Sequence, residues 1–140
     1  MEMLKERLHG VFAFPVTPFK AGNLLELDEQ GLADNVRFLV SNGVRRIVPC
    51  AGTGELLALT EDEHRRAITI VVEAAGQDTL VVPGIPGATK PAIEAARFIE
   101  SLNIEVVLAF PPSGPETGVK HHYELLSQGV RLALILYNTA

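Results

Sequence analysis

Apolar positions along this chain fall into two alternating kinds of run. Residues 44–50, 79–85, 105–110 and 132–138 are short, nearly continuous apolar stretches without a helical period. Such runs predict strands buried on both faces of a parallel sheet. Residues 10–19 predict a further strand ahead of them, running into a rim punctuated by Pro15 and Pro18. Between these runs the spacing changes to three and four. Leu32, Val36, Leu39 and Val40 mark one face of a helix capped by Asp28 and stopped by Gly43. Ala67, Ile68, Val71 and Ala75 mark a second helix over residues 61–75, with Thr60 as N-cap and Glu63 completing a capping box. Ala92, Ala95, Ala96, Ile99 and Leu102 mark a third, begun at Thr89 or Lys90 with Pro91 in its first turn. Residues 117–128 predict a fourth, ended by Gly129, and residues 2–9 a short one ended by Gly10.

One strand-helix unit recurs roughly every 25–35 residues, the size of a βα module. Each of the first four predicted strands leaves through a loop containing Pro or Gly, on the side where parallel α/β folds build their sites. No linker or low-complexity tract divides the 140 residues. The pattern closes on a fifth strand without a covering helix. Two architectures accommodate that: an open, doubly wound five-stranded sheet, or the front part of an eight-stranded barrel.

Composition narrows the function class. A hydrophobic fraction of 47% supports a sizeable globular core, and no apolar run is long enough to span a bilayer. Charges alternate from Glu2 to Arg7, unlike a signal peptide. A net charge of −5 without a basic stripe argues against nucleic acid or an anionic membrane as partner. Cys50 is the single cysteine, so disulfides and cysteine-rich metal clusters are excluded and a cytoplasmic setting is expected. It reads as a small buried hydrophobe. His121 and His122, beside Lys120, read as a solvated helix face.

The strongest candidate chemistry lies at residues 51–55, Ala-Gly-Thr-Gly-Glu, after the second predicted strand. Small residues let the main chain approach an anion and offer several N–H groups, while Thr53 adds the one side-chain donor. The turn could hold a small acid's carboxylate, or it could simply join strand to helix. Glu55 is expected to tie the loop down through backbone N–H groups.

Four stretches in register resemble a known family: Phe14-Pro15-Val16-Thr17-Pro18-Phe19, Gly52-Thr53-Gly54-Glu55 with Leu59-Thr60, Phe110-Pro111-Pro112, and Leu136-Tyr137-Asn138. They are similar to the Schiff-base lyases of the dihydrodipicolinate synthase and N-acetylneuraminate lyase superfamily. The Gly-Thr-Gly-Glu form resembles the 5-dehydro-4-deoxyglucarate dehydratase branch. The resemblance implies a (β/α)8 TIM barrel, of which residues 1–140 are the N-terminal portion of one catalytic domain with about the first five strands. It also implies a homotetramer, no cofactor, and a small 2-keto acid or keto sugar acid as substrate. Within it, Gly52, Thr53 and Gly54 match the carboxylate-binding turn, and Tyr137 the phenol that shuttles a proton beside the Schiff base. Gly52 stands where most members carry a second threonine. The loop after strand four lacks the tyrosine of the synthase branch. The family's lysine nucleophile falls beyond Ala140, so these 140 residues alone are expected to be inactive. Two rival readings remain: a flavodoxin-like module binding nucleotide or phosphate at residues 52–55, and a non-catalytic half barrel.

Overall fold

In a computed structural model, residues 2–138 are described. α1 (Glu2–Arg7) is followed by an extended stretch and a β-hairpin, β1 (Phe19–Lys20) with β2 (Asn23–Leu27). Then come α2 (Glu29–Ser41), β3 (Arg46–Ile47), a one-turn 3-10 helix (Leu56–Ala58) and α3 (Glu61–Ala75). β4 (Leu80–Val81), β5 (Gly84–Ile85), α4 (Thr89–Ser101), β6 (Val106–Ala109), α5 (Glu116–Gly129) and β7 (Ala133–Leu136) complete the order.

The parallel strands lie side by side in chain order. Ala13 bridges to Ile47, β3 pairs with β4, and β5, β6 and β7 pair in sequence. β4 and β5 belong to one strand interrupted at Pro83, which has no N–H to donate. The Val82 and Gly84 N–H groups donate to the Ile47 and Pro49 carbonyls, and Leu108 N–H donates to the Pro83 carbonyl. One curved sheet of five strands results. A flavodoxin-like sheet is ordered 2-1-3-4-5, so this sequential order removes that reading.

The first predicted strand is the largest departure. Only Ala13 joins the ladder, donating to the Arg46 carbonyl and accepting from Val48 N–H. Pro15 and Pro18 lack the donors a longer ladder requires. The hairpin that follows was not expected from the sequence. It turns at Ala21 and Gly22 (φ +80) and carries a Lys20–Glu26 ion pair.

The helix starts follow from their caps. Asp28 Oδ1 accepts from Gly31 N–H at 2.9 Å, and the Thr60–Glu63 capping box forms in both directions. Each such cap is worth about 1 kcal/mol. The sheet then sorts its side chains by parity. Ile47, Val81, Ile85, Val107 and Ala109 face the helices and join Leu32, Val36, Ile68, Val71, Ile99 and Leu126 in the larger core. Val48, Leu80, Val82, Val106 and Leu108 face the concave side, closed below by Leu4 and Leu8 of the α1 region and by Phe12. Fully burying one such aliphatic chain contributes about 1.5–3 kcal/mol. α1 is held by Arg7, whose Nη1 meets Glu105 at 2.5 Å, and by Arg46, whose Nε donates to the Arg7 carbonyl.

Candidate functional site

The loops leaving β3, β5, β6 and β7 share one rim. After β3 the chain turns sharply at Cys50 (φ +51), and Glu55 closes the turn, also left-handed (φ +56). Glu55 N–H donates to the Gly52 carbonyl at 3.1 Å, and Leu56 N–H to the Ala51 carbonyl at 3.1 Å. Among the described residues, no acceptor takes the N–H groups of Gly52, Thr53 or Gly54. Gly52 and Thr53 are exposed, whereas Gly54 is buried. A Cβ on Gly54 would stand 2.8 Å from the Cys50 nitrogen, so the tight turn requires glycine there.

What pins this turn is a residue not singled out from the sequence. Thr17, 7% exposed, donates from Oγ1 to the Gly54 carbonyl at 2.7 Å across 37 positions. Nothing local in the sequence marks this role beyond a hydroxyl between two prolines. Thr17→Val keeps the shape and removes the donor, leaving a buried carbonyl unpaired. Stability measured by urea unfolding is expected to fall by about 1–3 kcal/mol, and Thr17→Ser to recover most of the loss.

Two glycines seat the neighbouring loops. A Cβ on Gly84 would overlap the Cys50 carbonyl oxygen, and one on Gly87 the Pro111 carbonyl oxygen. The second contact brings the loop after β5 against the loop after β6. His64 of α3, 5% exposed, reaches from behind and donates from Nε2 to the Gly84 carbonyl at 2.8 Å. That acceptor fixes the tautomer with the proton on Nε2. Burial lowers the His64 pKa, the bond to Gly84 opposes this, and Arg65 adds to the lowering. Burial also pushes the Cys50 thiol up to about 12, so it packs as a hydrophobe and is no nucleophile.

Tyr137 follows β7, its N–H donating to the Ala109 carbonyl at 2.9 Å. It shares the parity of Ala133 and Ile135, which pack against the concave cluster. Its ring lies on Phe110, centroids 4.7 Å apart at 40°. Phe110 in turn lines a depression of about 370 Å³ with Ala51, Gly52, Glu55 and Leu56. The Gly52 turn and Tyr137 are thus joined through one aromatic side chain, Phe110.

Two expectations are corrected. Glu55 does not tie down the loop: its exposed side chain makes no cap bond, because the left-handed residue turns outward. His122 is not solvated. It is 2% exposed, bonded through Nδ1 to Thr89 Oγ1 at 2.9 Å, with Nε2 buried and unpartnered. Burial lowers its pKa. The spacing of Val119, His122, Tyr123 and Leu126 was the available signal, since it phases this histidine toward α4. His121 is exposed, 3.8 Å from Glu124.

Comparison with known proteins completes the picture. A family model described as the dihydrodipicolinate synthetase family matches residues 7–140. The chain is 33% identical over 135 residues to the 4-hydroxy-tetrahydrodipicolinate synthase of Methanococcus vannielii, covering 94% of this chain and 46% of that protein. The crystal structure of dihydrodipicolinate synthase from Bacillus clausii superposes with a TM-score of 0.90 at 27% identity, covering 98% of this chain and 47% of that one. The N-acetylneuraminate lyase of Mycoplasma synoviae shares the fold, with a TM-score of 0.87 at 24% identity over 95% of this chain and 47% of that one. The chain therefore spans about half the length of the relatives it matches, and its five strands are those of a partial TIM barrel.

Proposed function

The chain belongs to the dihydrodipicolinate synthetase family, and from that membership we propose that its rim serves a Schiff-base lyase acting on a small 2-keto acid. Gly52, Thr53 and Gly54 hold the carboxylate through their N–H groups and the Thr53 hydroxyl. Tyr137 moves protons beside the reacting carbonyl. Residues 1–140 act as the N-terminal portion of one barrel domain in a cytoplasmic homo-oligomer. The observation that carries the reading is the Phe110 ring, which lines the depression at Gly52 and stacks on Tyr137.

The chemistry follows from the groups present. Three N–H donors and a hydroxyl around one turn suit a carboxylate, and charge-assisted hydrogen bonds of this kind are the strong ones. A phenol at a strand end is suited to give and take a proton. The covalent step needs a neutral amine. Lys5 and Lys20 lie on α1 and the hairpin, Lys90 and Lys120 on α4 and α5. None ends a strand of the parallel sheet, so we assign the nucleophile to an amine outside these residues. Dehydration and decarboxylation of 5-dehydro-4-deoxyglucarate is the finer reading that the Gly-Thr-Gly-Glu form suggests. The named relative above is a synthase of a different product.

Titration of the 15N-labelled chain with pyruvate is expected to shift the amides of Gly52, Thr53 and Gly54. Thr53→Val should weaken binding about tenfold or more, since it removes a hydrogen bond to a charged group. Borohydride should trap no pyruvate adduct on this chain. Unmoved turn amides at saturating pyruvate would remove the carboxylate role. A trapped adduct would return the nucleophile to one of the four lysines.

A further inference from the structure

The end of the sheet opposite the rim carries a second cleft, of about 560 Å³, at the start of β4. The strand formed by β4 and β5 is paired on both sides, with β3 and with β6, so the cleft does not lie at an open edge. One wall is the end of α3, with Glu73, Gly76 and Gln77, and the other is the connection from α4, with Leu102, Asn103 and Glu105. Two helices thus direct their C-terminal ends here, each carrying about half a negative charge. Neither has a basic residue in its last turn. Among the described residues, no donor reaches the carbonyls of Glu73, Ala74 or Ala75. Arg7 is the one cation on the lining, and it is paired with Glu105. Glu73 feels Arg66, but that guanidinium is bonded twice to Glu29. A buried group marks the same place. Thr79 lines the cleft, is 6% exposed, and its Oγ1 has no partner. It shares the parity of Val81, which packs on the helix side of the sheet, so its side chain points between α3 and the connection from α4.

We propose that this cleft binds an alkylammonium ion, with its head at Glu73, Thr79 and the free carbonyls of α3. An ammonium group has three donors and no acceptor, which matches a carboxylate, a hydroxyl and a row of carbonyls. The alkyl stem lies along Val72, Leu102 and Ile104, the apolar part of the same lining. An anion would meet two helix C-termini and an unneutralised carboxylate, and is excluded. The site is separate from the carboxylate turn and does not depend on it.

Three probes separate head from stem in the 15N-labelled chain: butylammonium, ammonium and butyrate, at an ionic strength held constant with sodium chloride. Butylammonium is expected to shift the amides of Gly76, Gln77 and Asn103 saturably and to leave that of Thr53 in place. Ammonium should bind about tenfold more weakly, since it lacks the stem. Butyrate should give no saturable shift. Glu73→Gln, at an exposed position, should leave folding intact and weaken butylammonium about tenfold, by loss of a hydrogen bond between charged groups. Thr79→Val keeps the shape of the side chain and should not lower the urea midpoint, because the hydroxyl has no partner to lose. It should still weaken butylammonium severalfold. Butyrate binding as tightly as butylammonium, no shift with either, or shifts that sodium chloride alone reproduces would overturn the proposal. So would an affinity unmoved by both substitutions.

Discussion

Replacing Gly84 by alanine is expected to destabilise the chain by about 2 kcal/mol and to displace the turn that carries Thr53. Two effects of opposite sign compete. Loss of glycine's freedom in the unfolded chain favours the variant by about 0.4–1 kcal/mol. Against it, the new Cβ overlaps the Cys50 carbonyl oxygen and stands 3.0 Å from the carbon behind it. These are backbone atoms of a residue already left-handed at φ +51, so they cannot step aside as a flexible side chain would. Overpacking of this kind costs about 1–3 kcal/mol, and rigid neighbours place it at the upper end. The steric term wins. Gly52→Ala is the matched control: no atom lies within 4 Å of its added Cβ, so the unfolded-state effect stands alone and stability should rise by about 0.4–1 kcal/mol. Urea unfolding of both variants, with the Thr53 amide shift as a local reporter, decides the point. Equal stability of the two would mean that the turn is not seated on the strand end.

How much of this was legible beforehand depended on the range of the interaction involved. The Thr60–Glu63 cap and the whole of α3 could be read directly, because a capping box and a 3.6-residue stripe are local signals. The parallel strands themselves followed from continuous apolar runs between helices, but their order did not, because an open doubly wound sheet and a barrel share that pattern. The hairpin escaped notice because its pairing of Phe19 with Leu27 depends on a two-residue turn without the Asn-Gly or Asp-Gly signature. Thr17 escaped notice because its partner is 37 positions away. The burial of His64 and His122 was likewise set by helix packing, not by composition. The Gly52 turn and Tyr137 were named from motif register, while Phe110, the side chain that joins them, becomes visible only when β6 and β7 are laid side by side.

The second large effect is a loss of stability in mild acid. His64 and His122 are both buried, and both have pKa values lowered from the ordinary 6.5, chiefly by burial. The native state therefore favours the neutral rings, whereas the unfolded chain takes up protons near pH 6.5. Stability rises with pH wherever the unfolded state binds more protons. The contribution of these two rings is complete above about 6.5 and is lost progressively as pH falls from there toward their lower folded values. Each ring adds a limiting slope of about 1.4 kcal/mol per pH unit within that window. Glu29 and Asp34, whose carboxyl pKa values are lowered by bonds to Arg66 and Gln30, act only further down, below about 4.5. Urea midpoints should therefore fall between pH 8 and 5, ahead of the range in which Glu29 and Asp34 act. His64→Leu separates the charge from the contact. At pH 8 it should lower stability by about 1–3 kcal/mol, because the Gly84 carbonyl loses its donor. As pH falls below 6.5 its profile should be flatter than the parent's, by at most one proton. An unchanged slope would mean that His64 ionises as freely in the folded chain as in the unfolded one, and that the strand end beneath Cys50 is open to water.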